Sequence, residues 1–79
     1  MIIDVRPAGA FDQGRIPGSI NIPLDRLTIN IRRIKDMKRP IIICCTHGTD
    51  CEKAMRILRS EGIKDLISGG NWEKLLKKL

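Results

Sequence analysis

Three neighbouring cysteines are the residues of this chain with the clearest capacity for chemistry. Cys44 and Cys45 end an apolar run, and Cys51 follows Cys45 by six positions. A thiol at the end of a buried strand, facing the free amides of a helix N-terminus, is readily ionised to a nucleophilic thiolate. The spacing therefore predicts sulfur chemistry between a strand and a helix.

The elements that must position these thiols are predicted as strands alternating with helices. Short β-branched runs predict strands at Ile2–Val5, Ile20–Ile22, Ile41–Cys44 and Ile63–Ile67. Apolar spacings of three and four predict helices over Leu24–Lys38, Cys51–Glu61 and Trp72–Leu79. Loops or turns are expected at Arg6–Ala10 and Ser68–Gly70. This alternation predicts an α/β fold with a parallel sheet, whose ligands bind beyond the carboxyl ends of the strands, where Cys45 falls.

Composition limits what such a protein can be. With 79 residues it is predicted to be one small domain, 1–79, and we expect a monomer. Aromatic residues make up only 3% of the chain, which disfavours nucleic-acid binding, and no apolar segment is long enough for a membrane span. An odd number of crowded cysteines predicts a reducing, cytoplasmic setting. The net charge of +6 favours anionic ligands or acidic protein partners.

Four separated segments resemble the rhodanese-like, single-domain sulfurtransferase family, over nearly the whole chain. Ile3–Arg6 is similar to the family's opening strand, and Gly14–Pro23 is similar to its connection of glycine, isoleucine and proline residues. Ile41–Gly48 is similar to its active-site strand and loop, and Gly69–Trp72 is similar to its closing motif. The resemblance implies a three-layer rhodanese-like fold, with a central parallel sheet of about four strands flanked by helices. The family's preceding strand and helix have no counterpart, which predicts a minimal version or a fragment.

The resemblance assigns Cys45 to the family's catalytic position. It implies that a Cys45 thiolate takes sulfur from thiosulfate or a related anionic donor, releases sulfite, and passes the persulfide sulfur to cyanide or another thiol. The residues expected to bind the donor are Thr46, His47, Gly48, Thr49, Asp50 and Cys51. Independently of the family, their backbone amides are expected to curl around the sulfur at the positive end of the helix. We expect no metal and no other cofactor.

Four positions depart from the family pattern. Asp50 stands where many members carry Arg or Lys, and a carboxylate there opposes both thiolate formation and the approach of thiosulfate. Weak thiosulfate:cyanide activity is therefore predicted. Cys51 replaces a small residue, Arg15 replaces a histidine, and Ala10 replaces an acidic residue.

Several of these residues keep two interpretations. Cys51 either replaces a small residue at the helix start or is a resolving thiol that attacks a Cys45 persulfide or forms a disulfide. Asp50 is predicted to be the helix N-cap. His47 is predicted to be an exposed loop residue, with anion binding as its alternative. Cys44 should pack as a small hydrophobe, because neighbouring strand side chains point to opposite faces.

Other polar and aromatic residues are candidates for supporting roles. Arg6 and Arg15 are candidates for the pocket rim; the alternatives are a loop-holding ion pair for Arg6 and a solvated turn for Arg15. Trp72 is predicted to be a core residue. A zinc site built from His47 and the cysteines is disfavoured, because adjacent cysteines point apart and paired C-x-x-C spacing is absent.

The sequence thus predicts an enzyme, a sulfurtransferase with a persulfide on Cys45. A rival is a non-catalytic persulfide-relay or protein-binding module that accepts sulfur from a protein partner and does not use thiosulfate. A phosphatase or arsenate reductase of related fold is disfavoured, because it needs a longer loop and an arginine to clamp an oxyanion where Asp50 stands.

Overall fold

A computed structural model describes residues 1–79, and its centre is a parallel sheet. The strands are Ile2–Asp4 (β1), Ile20–Asn21 (β2), Ile41–Cys45 (β3) and Leu66–Asn71 (β4). They lie in the order β2-β1-β3-β4, and each neighbouring pair is parallel. The predicted α/β fold, with four parallel strands flanked by helices, is confirmed. The apolar strand β3 takes an inner position, as a strand buried on both faces requires.

Four helices pack around this sheet. They are Ala8–Gln13 (α1), Ile31–Lys35 (α2), Gly48–Ser60 (α3) and Trp72–Lys78 (α4). None of them combines the length and the apolar character that crossing a bilayer demands. Helix α1 corrects the predicted loop: the carbonyl of Pro7 accepts hydrogen bonds from the amides of Ala10 at 3.1 Å and Phe11 at 3.2 Å. Proline suits this position, because its fixed φ is compatible with a helix start that needs no amide hydrogen from it.

The segment after β2 is less regular than the predicted helix over Leu24–Lys38. The structure has two 3₁₀ turns here, Leu24–Arg26 and Thr28–Asn30, followed by the short α2. The side-chain amide of Asn30 donates to the carbonyl of Arg26 at 2.8 Å, a local bond that competes with the regular helix ladder. The predicted buried face is nevertheless correct, because Leu27 and Ile34 are fully buried.

The main core lies between one face of the sheet and helix α3. Its 13 buried residues include Ile3 and Ile43 from the strands and Leu58 from α3. Each buried aliphatic side chain contributes about 1.5–3 kcal/mol relative to exposure. Cys45 and Cys51 belong to this same cluster and are fully buried. The two thiols are therefore held between β3 and α3 by the packing that stabilises the fold.

Strand β4 begins later than predicted. Asp65 has a φ of 60°, which interrupts extended backbone before the strand starts at Leu66. Its carbonyl accepts a hydrogen bond from the amide of Ile41 at 3.0 Å, so the chain is already aligned beside β3 there. The strand starts three residues and ends four residues later than the predicted Ile63–Ile67, and the predicted turn over Ser68–Gly70 lies inside it.

A bulge in β4 requires a glycine. Ile43 pairs with Ser68 and Cys44 pairs with Gly70, which leaves Gly69 as an extra residue between them. A Cβ atom at Gly69 would lie only 2.9 Å from a side-chain methyl of Ile42. Bulges of this kind turn the following residue to a new direction. Here the turned residue is Gly70, which has a φ of 70° and faces the two core thiols.

Helix α4 is attached less deeply than its apolar spacing predicts. Leu75 and Trp72 are half-buried, whereas Leu76 and Leu79 are exposed. Trp72 is therefore not a core residue, and the predicted inner face is wrong for Leu76 and Leu79. The Trp72 ring instead lies beneath the guanidinium group of Arg6, 4.3 Å from the ring centre.

Candidate active site

The two adjacent cysteines lie on opposite faces of the sheet. Cys45, the last residue of β3, belongs to the core under α3, whereas Cys44 is buried on the other face as a free thiol beside its strand partner Asp4. Burial, reinforced by the charge of Asp4 and opposed by that of Arg6, raises the pKa of Cys44 to about 12. Cys44 therefore stays protonated at neutral pH, and its predicted packing role is confirmed.

Cys45 and Cys51 form a disulfide. Their Cα atoms are 5.9 Å apart, within the usual range for disulfides, and six positions separate them in sequence. Cys45 is fixed by the sheet and Cys51 by α3, so the pairing follows from the packing of helix on strand. Of the two interpretations of Cys51, the structure favours the one in which its sulfur pairs with that of Cys45 over the one in which it only replaces a small residue.

Carbonyl oxygens surround both sulfurs. The Sγ atom of Cys45 lies 2.7 Å from the carbonyl oxygen of His47 and 3.6 Å from that of Gly70. The Sγ atom of Cys51 lies 3.5 Å from the carbonyl oxygen of Ile43 and 3.6 Å from that of Gly70. A thiol can donate a hydrogen bond to such oxygens, whereas a disulfide has no hydrogen to donate and a thiolate is repelled. These surroundings differ from the expected ring of amides.

Helix α3 starts three residues earlier than predicted. His47 is its N-cap residue, without a side-chain hydrogen bond, and Gly48 is its first helical residue. Asp50 is therefore not the N-cap but the third residue of the first turn, and its amide donates to the His47 carbonyl at 3.0 Å. A carboxylate in the first turn still stabilises the helix through its dipole. Thr46 and His47 are exposed, as predicted for His47.

A groove of about 550 Å³ lies beyond the carboxyl ends of β1 and β2. Its lining residues are Val5, Pro7, Pro23, Leu24, Asp25, Asp50 and Ile57. Two of these carry carboxylates and none is basic, so the groove is apolar with acidic edges. A second cavity of about 460 Å³ lies between α3 and β4 and holds Arg56 and Arg59. Cys45 lines neither cavity, and its side chain is fully buried in the disulfide-bonded state.

Two residues that touch the site escaped the sequence interpretation. Asn71 donates from its side-chain amide to the carbonyl of Thr46 at 3.0 Å and accepts from the amide of Lys74 at 3.0 Å. It thereby joins the loop after Cys45 to the start of α4. An asparagine immediately before a helix is a common capping signal that could have identified it. The role of Gly70 depends on the bulge, which local sequence does not reveal.

Arg6 holds a loop and does not line the groove. Its guanidinium group donates to both carboxylate oxygens of Asp4, at 2.7–3.0 Å, and to the carbonyl of Gly14 at 2.6 Å. Both charged side chains are buried, 0% exposed for Asp4 and 6% for Arg6. The ion-pair interpretation of Arg6 is confirmed. The guanidinium group of Arg15 lies over the ring of Phe11, 5.0 Å from its centre, and Arg15 does not line the groove either.

The sequence matches proteins of one family. The family description "Rhodanese-like domain" matches residues 1–74. The thiosulfate sulfurtransferase GlpE of Shewanella oneidensis is 33% identical over 67 residues, which cover 85% of this chain and 65% of that protein. The adenylyltransferase and sulfurtransferase UBA4 of Meyerozyma guilliermondii is 34% identical over 79 residues, covering 87% of this chain and 19% of that protein. The chain thus spans less than two thirds of either relative.

Solved structures agree with the sequence match. The rhodanese-like domain of the Anabaena protein Alr3790 has the same fold, with a TM-score of 0.81 at 23% identity over 99% of this chain and 59% of that chain. Reduced CoADR-RHD of Bacillus anthracis is 36% identical, with a TM-score of 0.71 over 95% of this chain and 13% of that chain. Sheet order, motif order and both kinds of comparison lead to one conclusion: this chain belongs to the rhodanese-like domain family of sulfurtransferases.

Proposed function

We propose that this chain, acting as one minimal domain over residues 1–79, is a sulfurtransferase that carries sulfane sulfur as a persulfide on Cys45. The observation that carries the proposal is the position of Cys45 in a rhodanese-like domain, at the end of β3 and directly before the loop that opens the 13-residue helix α3. We assign donor binding to the residues that follow it, Thr46, His47, Gly48, Thr49, Asp50 and Cys51.

The proposed reaction consists of two sulfur transfers. The Cys45 thiolate first attacks the outer sulfur of thiosulfate, the S–S bond of the donor breaks, and sulfite leaves with the bonding electrons. Cyanide or a thiolate then attacks the outer sulfur of the persulfide, and the Cys45 thiolate is released. The free amides in the first turn of α3 favour the anionic states, whereas the His47 carbonyl, 2.7 Å from the sulfur in the disulfide-bonded state, opposes them.

The reaction requires the reduced protein. A disulfide-bonded Cys45 has no thiolate to attack a donor, and its side chain is fully buried. Reduction frees the Cys45 sulfur, and the residues that follow it, Thr46 and His47, are exposed to solvent. We therefore propose that the protein acts in a reducing compartment, the cytoplasm.

A second candidate function is sulfur relay from a protein donor. The acidic edges of the groove at Asp25 and Asp50 disfavour a small dianion such as thiosulfate. A persulfide on a protein cysteine carries at most one negative charge, fewer than this dianion, and the net charge of +6 suits an acidic partner. The relatives include a protein named thiosulfate sulfurtransferase and a protein named adenylyltransferase and sulfurtransferase.

Sulfite release from thiosulfate by the reduced protein tests the main proposal. We expect wild type to release sulfite and, at the earliest time points, to gain one sulfur atom on Cys45, detected by peptide mass spectrometry. Cys45→Ser should lose both signals. The matched control is Cys44→Ala, which removes the neighbouring thiol on the opposite face and should behave like wild type. Full sulfur transfer by the Cys45→Ser variant contradicts the assignment.

The same measurement with a second donor separates the two candidates. A persulfidated protein donor and thiosulfate are compared at equal concentration, and the initial rate of persulfide formation on Cys45 is measured. Faster loading from thiosulfate supports the small-anion enzyme. Loading from the protein donor alone supports relay and contradicts thiosulfate turnover.

A further inference from the structure

A second thiol lies beside the nucleophile, and the two proposed transfers do not use it. Cys51 is fully buried in α3, and its sulfur is bonded to that of Cys45. The third thiol, Cys44, is closer to Cys45 in sequence but lies on the other face of the sheet. The pairing therefore results from the tertiary fold and not from chain proximity.

We propose that Cys51 is a resolving nucleophile, which converts the Cys45 persulfide into the Cys45–Cys51 disulfide and releases hydrogen sulfide. This rests on the persulfide of the proposed function. The Cys51 sulfur bonds to the Cys45 Sγ atom, and the bond between that atom and the outer sulfur breaks. The outer sulfur leaves with the electron pair and takes the proton of the Cys51 thiol. One sulfane sulfur is reduced to sulfide while two cysteines are oxidised to a disulfide, so the step needs no other reactant.

The geometry selects the inner sulfur of the persulfide as the target. The atom that Cys51 reaches in the structure is Cys45 Sγ, which is the inner sulfur once a persulfide has formed. Attack at the outer sulfur would only move the persulfide to Cys51. The carbonyl oxygen of Gly70 lies 3.6 Å from both sulfurs and can accept the thiol hydrogen of Cys51, which keeps this thiol beside its target.

Burial favours this internal step over an external acceptor. Cys45 is fully buried in the disulfide-bonded state and lines neither surface cavity, so an acceptor needs the loop to open. Cys51 is already inside the same core cluster. A further turnover requires an external dithiol that reduces the disulfide. With thiosulfate as donor, the complete cycle converts thiosulfate and a dithiol into sulfite, hydrogen sulfide and the oxidised dithiol.

A single turnover without oxygen or acceptor tests the proposal. The fully reduced protein receives a limiting small alkyl persulfide, which delivers sulfur to Cys45 without thiosulfate and leaves a thiol as by-product. We expect wild type to lose two hydrogens, as it forms the disulfide, and to release one sulfide per sulfur delivered. Cys51→Ser should gain one sulfur atom and hold it, with sulfide release slowed about 100-fold or more, because a neighbouring nucleophile has a very high effective concentration. Cys44→Ala should behave like wild type.

Three results would overturn the inference: Cys51→Ser releases sulfide at the wild-type rate, Cys51→Ser fails to hold a sulfur atom on Cys45, or wild type retains its persulfide. Reduced wild type without donor must stay a dithiol, which shows that the sulfane sulfur is the oxidant. Sulfite release from thiosulfate is measured separately on the same samples. Its absence contradicts the thiosulfate reaction of the proposed function and leaves the test of Cys51 intact, because the alkyl persulfide loads Cys45 directly.

Discussion

Replacing Gly69 by alanine should destabilise the protein through the bulge that aims Gly70 at the two sulfurs. A Cβ atom at this position would lie 2.9 Å from Cγ2 of Ile42, 2.9 Å from Cδ2 of Leu75 and 3.1 Å from the carbonyl oxygen of Ile43. The end of Leu75 can rotate away on the half-buried helix α4. The branched methyl of Ile42 and the backbone carbonyl cannot, because both belong to the inner strand β3.

The magnitude follows from two opposing effects. Overpacking a well-filled site costs about 1–3 kcal/mol. Alanine at a position without positive φ also recovers about 0.4–1 kcal/mol, because it restricts the unfolded chain. We therefore expect Gly69→Ala to lose about 1–2 kcal/mol of unfolding free energy. Gly9→Ala is the matched control: nothing lies within 4 Å of its added Cβ, so it should be neutral or slightly stabilising.

Urea unfolding of both variants, with the cysteines reduced, measures these differences. Adding Leu75→Ala to Gly69→Ala should recover only part of the loss caused by Gly69→Ala, because the clash with β3 remains. The rate of Cys45–Cys51 disulfide formation should also fall in Gly69→Ala, since the bulge fixes the carbonyl that faces both sulfurs. A Gly69→Ala protein as stable as wild type would refute the steric reasoning.

Three further outcomes are expected. Asp50→Arg should raise kcat/KM for thiosulfate about tenfold, because it removes one screened repulsion and adds one attraction, each of up to about 1 kcal/mol. The control variant Asp12→Arg, at an exposed position of α1, should leave kcat/KM unchanged. No gain or a fall in kcat/KM for Asp50→Arg counts against the electrostatic argument. Arg6→Ala should lower the unfolding free energy by about 3–5 kcal/mol, because it leaves the buried charge of Asp4 without a partner. Adding Asp4→Asn to Arg6→Ala should restore part of this free energy. Equal losses in the single and the double variant, measured by urea unfolding, refute the argument. Folding raises the pKa of Cys44 from 9.0 to about 12, so the stabilisation by its protonated thiol is complete below pH 9.0 and is lost as pH rises towards 12. The unfolding free energy of Cys44→Ala should therefore depend less on pH in that interval than that of wild type. Parallel pH profiles of the two proteins contradict this expectation.

Local sequence predicted those features that depend on short-range periodicity. The apolar run at Ile41–Cys44 was a reliable strand signal, since β-branched residues pack well in a buried strand. Alternation along that strand was enough to separate Cys44 from Cys45, which the structure confirms. The amphipathic spacing of α3 was also correct in its buried face, with Cys51 and Leu58 inside.

Element boundaries were less predictable, because they depend on contacts with the rest of the fold. The start of α3 at Gly48, and hence the position of Asp50 in the first turn, follows from how the chain leaves β3. The strand at Leu66–Asn71 extends through two glycines because pairing with β3 compensates for their weak strand preference. Leu79 shows the reverse case: it fits an apolar face by spacing, yet α4 ends at Lys78 and the Leu79 side chain remains exposed.

The sequence by itself determined the fold class, the family and the position of Cys45 between a strand and a helix, because each of these depends on residue types in a fixed order along the chain. The tertiary structure decided what surrounds Cys45. Only the packing of α3 on β3 brings Cys51 to Cys45, and only the bulge at Gly69 turns a carbonyl towards both sulfurs. Contacts between residues far apart in sequence depend on the geometry of the whole sheet, and no local pattern records that geometry.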